Sequence, residues 1–421
     1  MVRDVLKPFT GPVDCPFDGI ICVGGEDWWY HNRGHFDFQI MRRLAARWPV
    51  LFVNSLGVRM PSVRHDKMFA HRIVRKLKSL SRGLVKAEPG FWVFSPFMMP
   101  GETGQKLTNW AVAPQIKLAA RRAGIRRPLV WVHCPAGAAL PRQLNPVATV
   151  LQRTDRFEAF PEADYSLVGA QIAQMKADAD LVVYAAPHLA REERGQVRKS
   201  LLLTHGVDLD MFGAAGRQAR NGSVPMPADV AEIAAHRPGP LVGFTGGIDR
   251  HTFDPAMFIE VARQRSDCQF IMIGACSLPD GWCELPNVHF LGRKPYDEIA
   301  TYMAAMDVLI MPWNTSEWIK ACNPIKLKEY LATGRPIVTS DFQALDGWRD
   351  IVRVATGAEA FAEAIADAVR EGEGYGARRK CILERLAAET WDAKADLLAQ
   401  ELVGLVAKDR AQFFDRELAA A

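Results

Sequence analysis

Lys326 and Glu329 stand three residues apart in the segment NPIKLKEYLATGRPIVTSD, Asn323 to Asp341. Pro324 suits the first turn of a helix and Gly334 its C-terminal stop, so the two side chains share one helical face. A cation near a helix start can neutralise a diphosphate. A carboxylate one turn on can accept the hydroxyl protons of a ribose. Together they meet two needs of a nucleotide sugar. The same residues on a solvated helix would be an ordinary ion pair contributing only about 0.2–0.5 kcal/mol, and the spacing alone leaves both readings open.

A second candidate is VGFTGGID, Val242 to Asp249, where a strand ends in Gly246-Gly247 and a helix begins after Phe253. Such a turn aims unpaired backbone N–H groups at one point and suits a phosphate. It is not the GxGxxG of a dinucleotide site, and a purely structural turn is the alternative. A third is VLQRTDRFEAF, Val150 to Phe160, where a strand delivers Thr154-Asp155 at its C-terminal end, the edge at which doubly wound sheets bind ligands. There Asp155 is either a chemical group or a helix cap. The turn Gly24 to His35 is dense in aromatic and polar groups, the composition of a sugar or lipid-headgroup site; Asn32, Arg33 and His35 are its candidate contacts.

Lys67 to Lys86 holds seven basic residues, among them Arg72, Arg75, Lys76 and Lys78, and no acid. Phe69, Ile73, Leu77, Leu80 and Leu84 form a helical stripe beside them. The segment reads as a basic amphipathic helix able to lie on an anionic membrane surface, or as a sheet-covering helix with a solvated basic face. Asp178-Ala179-Asp180 and Asp208-Leu209-Asp210 resemble metal-binding acidic pairs. The first precedes a strand and the second ends a domain, so no metal is expected.

Elements must position these groups. The 421 residues, 49% hydrophobic and 24% charged, suffice for two cores. A formal charge of +4 makes no case for nucleic acid. Eight scattered cysteines without zinc spacing suit a reduced compartment. No signal peptide and no spanning segment of about 18 apolar residues is read, so a cytoplasmic protein, soluble or seated on a surface, is expected. Uniformly apolar runs such as Gly19–Val23, Val50–Asn54 and Leu129–His133 alternate with helical periodicity, as in a parallel sheet covered on both faces. The rhythm pauses over the Gly- and Pro-containing residues 213–240 and restarts at Leu241. The expected organisation is a doubly wound domain over 1–212, a connection over 213–240, a second such domain over 241–379, and C-terminal helices over 380–421 that cross back to the first.

These motifs, in this order, resemble the GT-B glycosyltransferases of the large bacterial group 1 family. The family's GVDxxxF segment is matched by Gly206, Val207, Asp208 and Phe212, and its P-x-K-x-x-E-Y-x-A-x-G-x-P helix by Pro324, Lys326, Glu329, Tyr330, Ala332, Gly334 and Pro336. The resemblance covers residues 20 to 345. It implies an α/β fold of two Rossmann-like domains facing across a cleft, and transfer of a hexose-type sugar from a nucleotide-diphosphate sugar to a saccharide or lipid-linked acceptor. The implied donor contacts are Gly246, Gly247, Asp249, Arg250, Arg293, Asn323, Lys326 and Glu329, with no further cofactor.

Many retaining members carry a second glutamate eight positions before this one, where Ala321 stands here; Glu317 is displaced by four. The region of Asp155 is instead similar to inverting, membrane-associated enzymes of exopolysaccharide assembly, which implies Asp155 as the base. A nucleotide-sugar 2-epimerase and a non-catalytic sugar-nucleotide-binding subunit are the competing classes. The GVD and Pro-x-Lys-x-x-Glu-Tyr segments argue against the former.

Overall fold

The computed structural model describes residues 15–30, 33–56, 77–97, 102–159, 164–316, 319 and 322–420. Contacts divide the chain into two units, Met1–Thr204 with Lys394–Ala421, and His205–Ala393.

The first unit is built on eight strands: β1 (Gly19–Val23), β2 (Val50–Val53), β3 (Leu84–Glu88), β4 (Phe91–Phe94), β5 (Pro128–Val132), β6 (Ala148–Arg153), β7 (Leu181–Tyr184) and β8 (Ser200–Leu202). Their order is β3-β4-β2-β1-β5-β6-β7-β8, and every pairing is parallel except β3 with β4. β1, β2, β5, β6 and β7 are buried along their whole length. Both sheet faces are covered, which is why these strands read as unbroken apolar runs. Strand order reverses between β1 and β5, so ligand-binding loops are expected beyond Val23 and Val132.

The second unit has six strands: β9 (Leu241–Thr245), β10 (Gln269–Ile273), β11 (Val288–Gly292), β12 (Val308–Met311), β13 (Ile337–Thr339) and β14 (Arg353–Val354). All are parallel, in the order β11-β10-β9-β12-β13-β14. Side chains alternate between two cores. Ile271, Ile273, Leu309 and Met311 enter one; Phe270, Met272, Val308 and Ile310 enter the other. The reversal here lies between β9 and β12.

Three expectations change. The chain passes between units at Thr204–His205, not over 213–240. That stretch instead belongs to helices Leu209–Arg220 and Ala228–His236 of the second unit, with Phe212, Ala215 and Val230 in its core. Its small residues serve close packing: a Cβ at Gly216 would lie 2.1 Å from the Thr333 carbonyl oxygen. Second, the basic segment is not one helix to Lys86. Residues 77–81 are helical, but Leu84–Glu88 pairs with β4, because Val85 meets Val93 across an antiparallel ladder. Arg72, Arg75 and Lys76 lie outside the described residues. Third, the return to the first unit begins at Lys394 rather than 380. It is fastened by Lys394 to the Thr204 hydroxyl at 3.1 Å, Lys199 to Glu401 at 2.8 Å, and Arg47 to Asp396. The two crossings are tied together within the second unit, where Val207 N–H donates to the Glu389 carbonyl at 3.0 Å and Trp391 N–H to that of Val207 at 3.2 Å.

Gly216→Ala is expected to destabilise the second unit by about 1–3 kcal/mol, because the methyl meets backbone rather than a movable side chain. Gly169→Ala, in the helix Tyr165–Asp178 with nothing within 4 Å of its Cβ position, should stabilise by about 0.5–1 kcal/mol. Urea unfolding of the two variants checks both signs.

Candidate active site

Two clusters of functional side chains form, one at the C-terminal strand edge of each unit. In the second unit, β9 ends at Thr245 and the chain turns through Gly246 at φ 145°, a conformation that favours glycine. A Cβ at this position would lie 2.1 Å from the Lys326 Nζ. The ammonium therefore lies against the bare backbone of the turn. The rings of Phe244 and Trp313 flank it at 5.1 and 5.4 Å, close enough to favour a cation.

Lys326 is in the first turn of the helix Ile325–Thr333, which Gly334 closes at φ 69°. The Tyr330 hydroxyl accepts from Thr245 N–H at 2.7 Å, fastening this helix to the end of β9. Glu329, one turn on, is only 7% exposed, and the Tyr296 hydroxyl donates to it at 3.4 Å. Burial pushes its carboxyl up to about 7, against the pull of Lys326 and Tyr296. Burial likewise lowers Lys326, against the attraction of Glu329, Cys322 and Asp249. An exposed ion pair is thus the wrong description of these two residues. Glu329 is buried, and no ion pair joins it to Lys326 among the described contacts.

The other donor candidates divide. Asp249 uses its Oδ1 to accept from His251 N–H at 2.9 Å and Thr252 N–H at 3.0 Å, so it holds the turn. Arg250 and Arg293 are exposed, and Arg293 directly follows β11. The Arg250 carbonyl is held by the Asn314 amide at 3.1 Å. Asn323 precedes the helix that carries Lys326 and is half-buried. The acidic pairs have structural duties. Asp178 receives two hydrogen bonds from Arg142 at 2.8 Å, Asp180 accepts from Thr149 N–H at 2.8 Å, and Asp208 caps the helix Leu209–Arg220. Among the described residues, no group of three or more acidic, histidine or cysteine side chains could hold a metal ion.

In the first unit, Asp155 is the second residue after β6. Burial raises its carboxyl above the usual range, although His133, Arg153, a hydrogen bond with the Thr154 side chain and His35 all oppose that. Among the described hydrogen bonds, none runs from a helix N–H to its carboxylate, as a cap would require. The Thr154 hydroxyl in turn meets His133 Nε2 at 3.0 Å, and His133 Nδ1 meets Asp37 Oδ2 at 3.3 Å. Asp37 is fully buried and also accepts from Gly25 N–H at 3.2 Å. Burial would raise Asp37, but the His133 bond and charge, the His35 charge and the Gly25 amide outweigh it and lower the carboxyl.

Hydrogen bonds thus run Asp37–His133–Thr154, and Thr154 immediately precedes Asp155. Behind it, the fully buried Arg153 guanidinium holds the Asp155 carbonyl at 2.8 Å and the carboxylates of Glu158 and Glu193 at 2.7 and 3.0 Å. His35 lies within electrostatic reach of Asp155. Arg33 is exposed and stacks over Trp28 at 5.0 Å. Asn32 lies outside the described residues. Asp37, His133, Arg153 and Trp313 were not singled out from sequence, and Thr154 was named only as the residue delivered with Asp155. His133 had a usable signal, since it follows β5 as Asp155 follows β6.

Residues 239–371 match the family described as Glycosyl transferases group 1. TuaH of Bacillus subtilis (strain 168), named as a teichuronic acid biosynthesis glycosyltransferase, is 34% identical over 143 residues, 32% of each chain. The match therefore spans about a third of that relative. Over most of its length the chain resembles solved structures of low identity. Sucrose-phosphate synthase from Thermosynechococcus elongatus has a TM-score of 0.64 at 16% identity, covering 96% of this chain and 100% of that one. A structure described as trehalose-6-phosphate from E. coli bound with UDP-2-fluoro glucose gives 0.61 at 11%, covering 91% and 98%. Anabaena HepE in complex with UDP gives 0.57 at 13%, covering 91% and 99%. The fold is GT-B.

The Glu329 carboxyl predicts a pH signature. Its folded pKa near 7 lies above the unfolded value of about 4.3, so the native state holds a proton that the unfolded chain releases. That stabilisation is full below the unfolded pKa and is lost as pH rises through the folded one, by on the order of 3 kcal/mol. Glu329→Gln should therefore resist urea better than the wild type at pH 8, with an advantage that narrows toward pH 5. The same difference at both pH values would refute a buried, proton-holding Glu329.

Proposed function

We propose that this chain, whose residues 239–371 form a group 1 glycosyltransferase domain within a GT-B fold, transfers a hexose-type sugar from a nucleotide-diphosphate sugar to a saccharide or lipid-linked acceptor in polysaccharide or glycolipid assembly. The observation that carries this reading is the Lys326 ammonium set against the backbone of the Gly246 turn, with Glu329 one turn behind it. The lysine and the turn amides neutralise the leaving diphosphate, and Glu329 accepts the ribose hydroxyls. The UDP-bound neighbours support a nucleotide-diphosphate donor.

In the proposed reaction the acceptor oxygen bonds to the anomeric carbon as the bond from that carbon to the diphosphate oxygen breaks. The acceptor proton passes to Asp155. A carboxylate raised by burial is a stronger base than a solvated one. His133 and Thr154 are positioning residues. With His133 held by Asp37 on one side and Thr154 on the other, the strand-end turn carries Asp155 in one orientation. Transfer inverts the anomeric configuration and needs no metal.

The first unit is proposed to rest on an anionic membrane at its cytoplasmic face. Leu77 and Phe97 are 59% and 62% exposed, and Lys78 is exposed beside Leu77. Residues 77–81 are pinned to the sheet edge through Ser79, whose hydroxyl lies 2.6 Å from that of Ser95 and 3.2 Å from the Asn54 amide. The basic residues from Lys67 onward add the charge.

Asp155→Asn should lower kcat by about 10²–10⁴ while donor affinity stays within about twofold. The wild-type enzyme should turn over in excess EDTA and form a β-linkage from an α-linked donor. A near-normal rate for the variant, together with an α-linked product, would remove Asp155 as base.

Vesicles containing phosphatidylserine should sediment the protein at low salt and release it as salt rises, each cation near the surface contributing about 1 kcal/mol. Replacing Arg72, Arg75, Lys76 and Lys78 with glutamine should abolish sedimentation. Equal binding to neutral vesicles would leave only a solvated basic face.

A further inference from the structure

Three arginines of the second unit meet at the end of the helix Ile325–Thr333 farthest from Lys326, and a fourth, Arg217, lies within electrostatic reach of Arg220. Arg220 donates to the Thr333 carbonyl at 2.9 Å, and Arg379 to that of Gly334 at 3.1 Å. Arg335 donates to the Ala304 carbonyl at 2.9 Å. Arg217, one helical turn before Arg220, brings its Nη1 to 3.4 Å from the Cβ position of Gly213, on the helix face turned toward the Ala332 carbonyl. Gly334 is hemmed by two of them, with Arg379 side-chain carbons 2.6 Å and Arg220 Nη1 3.3 Å from its Cβ position.

No carboxylate forms an ion pair with any of the four among the described residues. Asp307 is the acid within electrostatic reach of Arg335, and it is already engaged, accepting from Leu241 N–H at 2.8 Å. The carbonyl pole of a helix carries only about half a negative charge. The three backbone acceptors satisfy some N–H groups but cancel little of four full charges. Arg220 registers the imbalance: burial first, then the charges of Arg379, Arg335 and Arg217, bring its pKa down to about 10. Arg335 also lines a hollow shared with Ala219, Met226, Thr301 and Ala305, so a solute can approach that side.

We propose that Arg217, Arg220, Arg335 and Arg379 form a second oxyanion site, one that takes a phosphate-bearing small molecule apart from the donor site. Guanidinium forks present paired N–H groups that match phosphate oxygens, and Arg220, Arg335 and Arg379 keep N–H groups beyond those that reach the backbone carbonyls. The occupant would sit on the C-terminal end of the helix whose first turn holds Lys326, and would neutralise a charge cluster that now destabilises that end.

The test uses the full chain and inorganic pyrophosphate in titration calorimetry, with Lys326→Ala removing the donor-site event. In that background one binding event should persist. Adding Arg217→Gln and Arg379→Gln should weaken it at least tenfold, and Arg217→Gln alone, at an exposed position, should weaken it measurably should the triple variant fail to fold. In otherwise wild-type protein, the two arginine changes should leave a donor-site event that UDP competes away. Loss of all pyrophosphate binding in Lys326→Ala, or binding there that is indifferent to the arginine changes, would overturn the second site. If the donor reading were wrong instead, UDP would fail to compete while the arginine-dependent event remained.

Discussion

The ammonium of Lys326 occupies space that a side chain at position 246 would fill. Most of the second unit's design follows from that one close approach. β9 must end in a residue without a Cβ that tolerates φ 145°. The helix Ile325–Thr333 must be anchored so that the lysine reaches the turn, and the Tyr330 hydroxyl does this by taking the Thr245 N–H. The aromatic rings of Phe244 and Trp313 stabilise the cation without neutralising it. A carboxylate in contact would have cancelled the charge. Glu329 is held out of ion-pair range instead, and its burial leaves it close to half-protonated at neutral pH.

The first unit solves a different problem with the same sheet edge. In its proposed role, Asp155 has to be a carboxylate that is both oriented and unusually basic. Burial supplies the basicity, and the hydrogen bonds from Thr154 back to Asp37 supply the orientation. A buried charge such as Asp37 is tolerated only when it is paired and hydrogen-bonded, and His133 and the Gly25 amide meet that requirement. Arg153 does the same work underneath. Its buried guanidinium is compensated by Glu158 and Glu193, and it grips the Asp155 backbone as well. The polar groups around the candidate base are therefore rigid because each is costly to leave unpaired.

The helix Leu209–Arg220 links packing to electrostatics. Gly213 and Gly216 let it lie close on the helix Ile325–Thr333, and that closeness is what carries Arg217 and Arg220 toward the far end of that helix. Small residues spaced for helix packing look like a flexible linker in composition, because both are short of bulky side chains. What separates them is the partner surface.

The amino-acid sequence by itself determined all the strands but β3 and β14, the two-unit doubly wound fold and the helix with Lys326 and Glu329 on one face. Those features follow from local periodicity, from proline and glycine at helix ends, and from apolar runs that only a covered parallel sheet explains. Each apolar run read as a strand forms one, within two residues at either end. Tertiary structure decided the rest. Whether Lys326 and Glu329 form an exposed pair or buried, separate charges depends on Phe244, Trp313 and Tyr296, which come from three other segments of chain, and on the bond by which Tyr330 fastens their helix to β9. That burial raises the Asp155 carboxyl, and that Asp37 stands behind His133 across 96 residues of sequence, cannot be read from spacing. The reason is physical: burial and long-range pairing set the charge state of a side chain, and neither is a property of its neighbours along the chain.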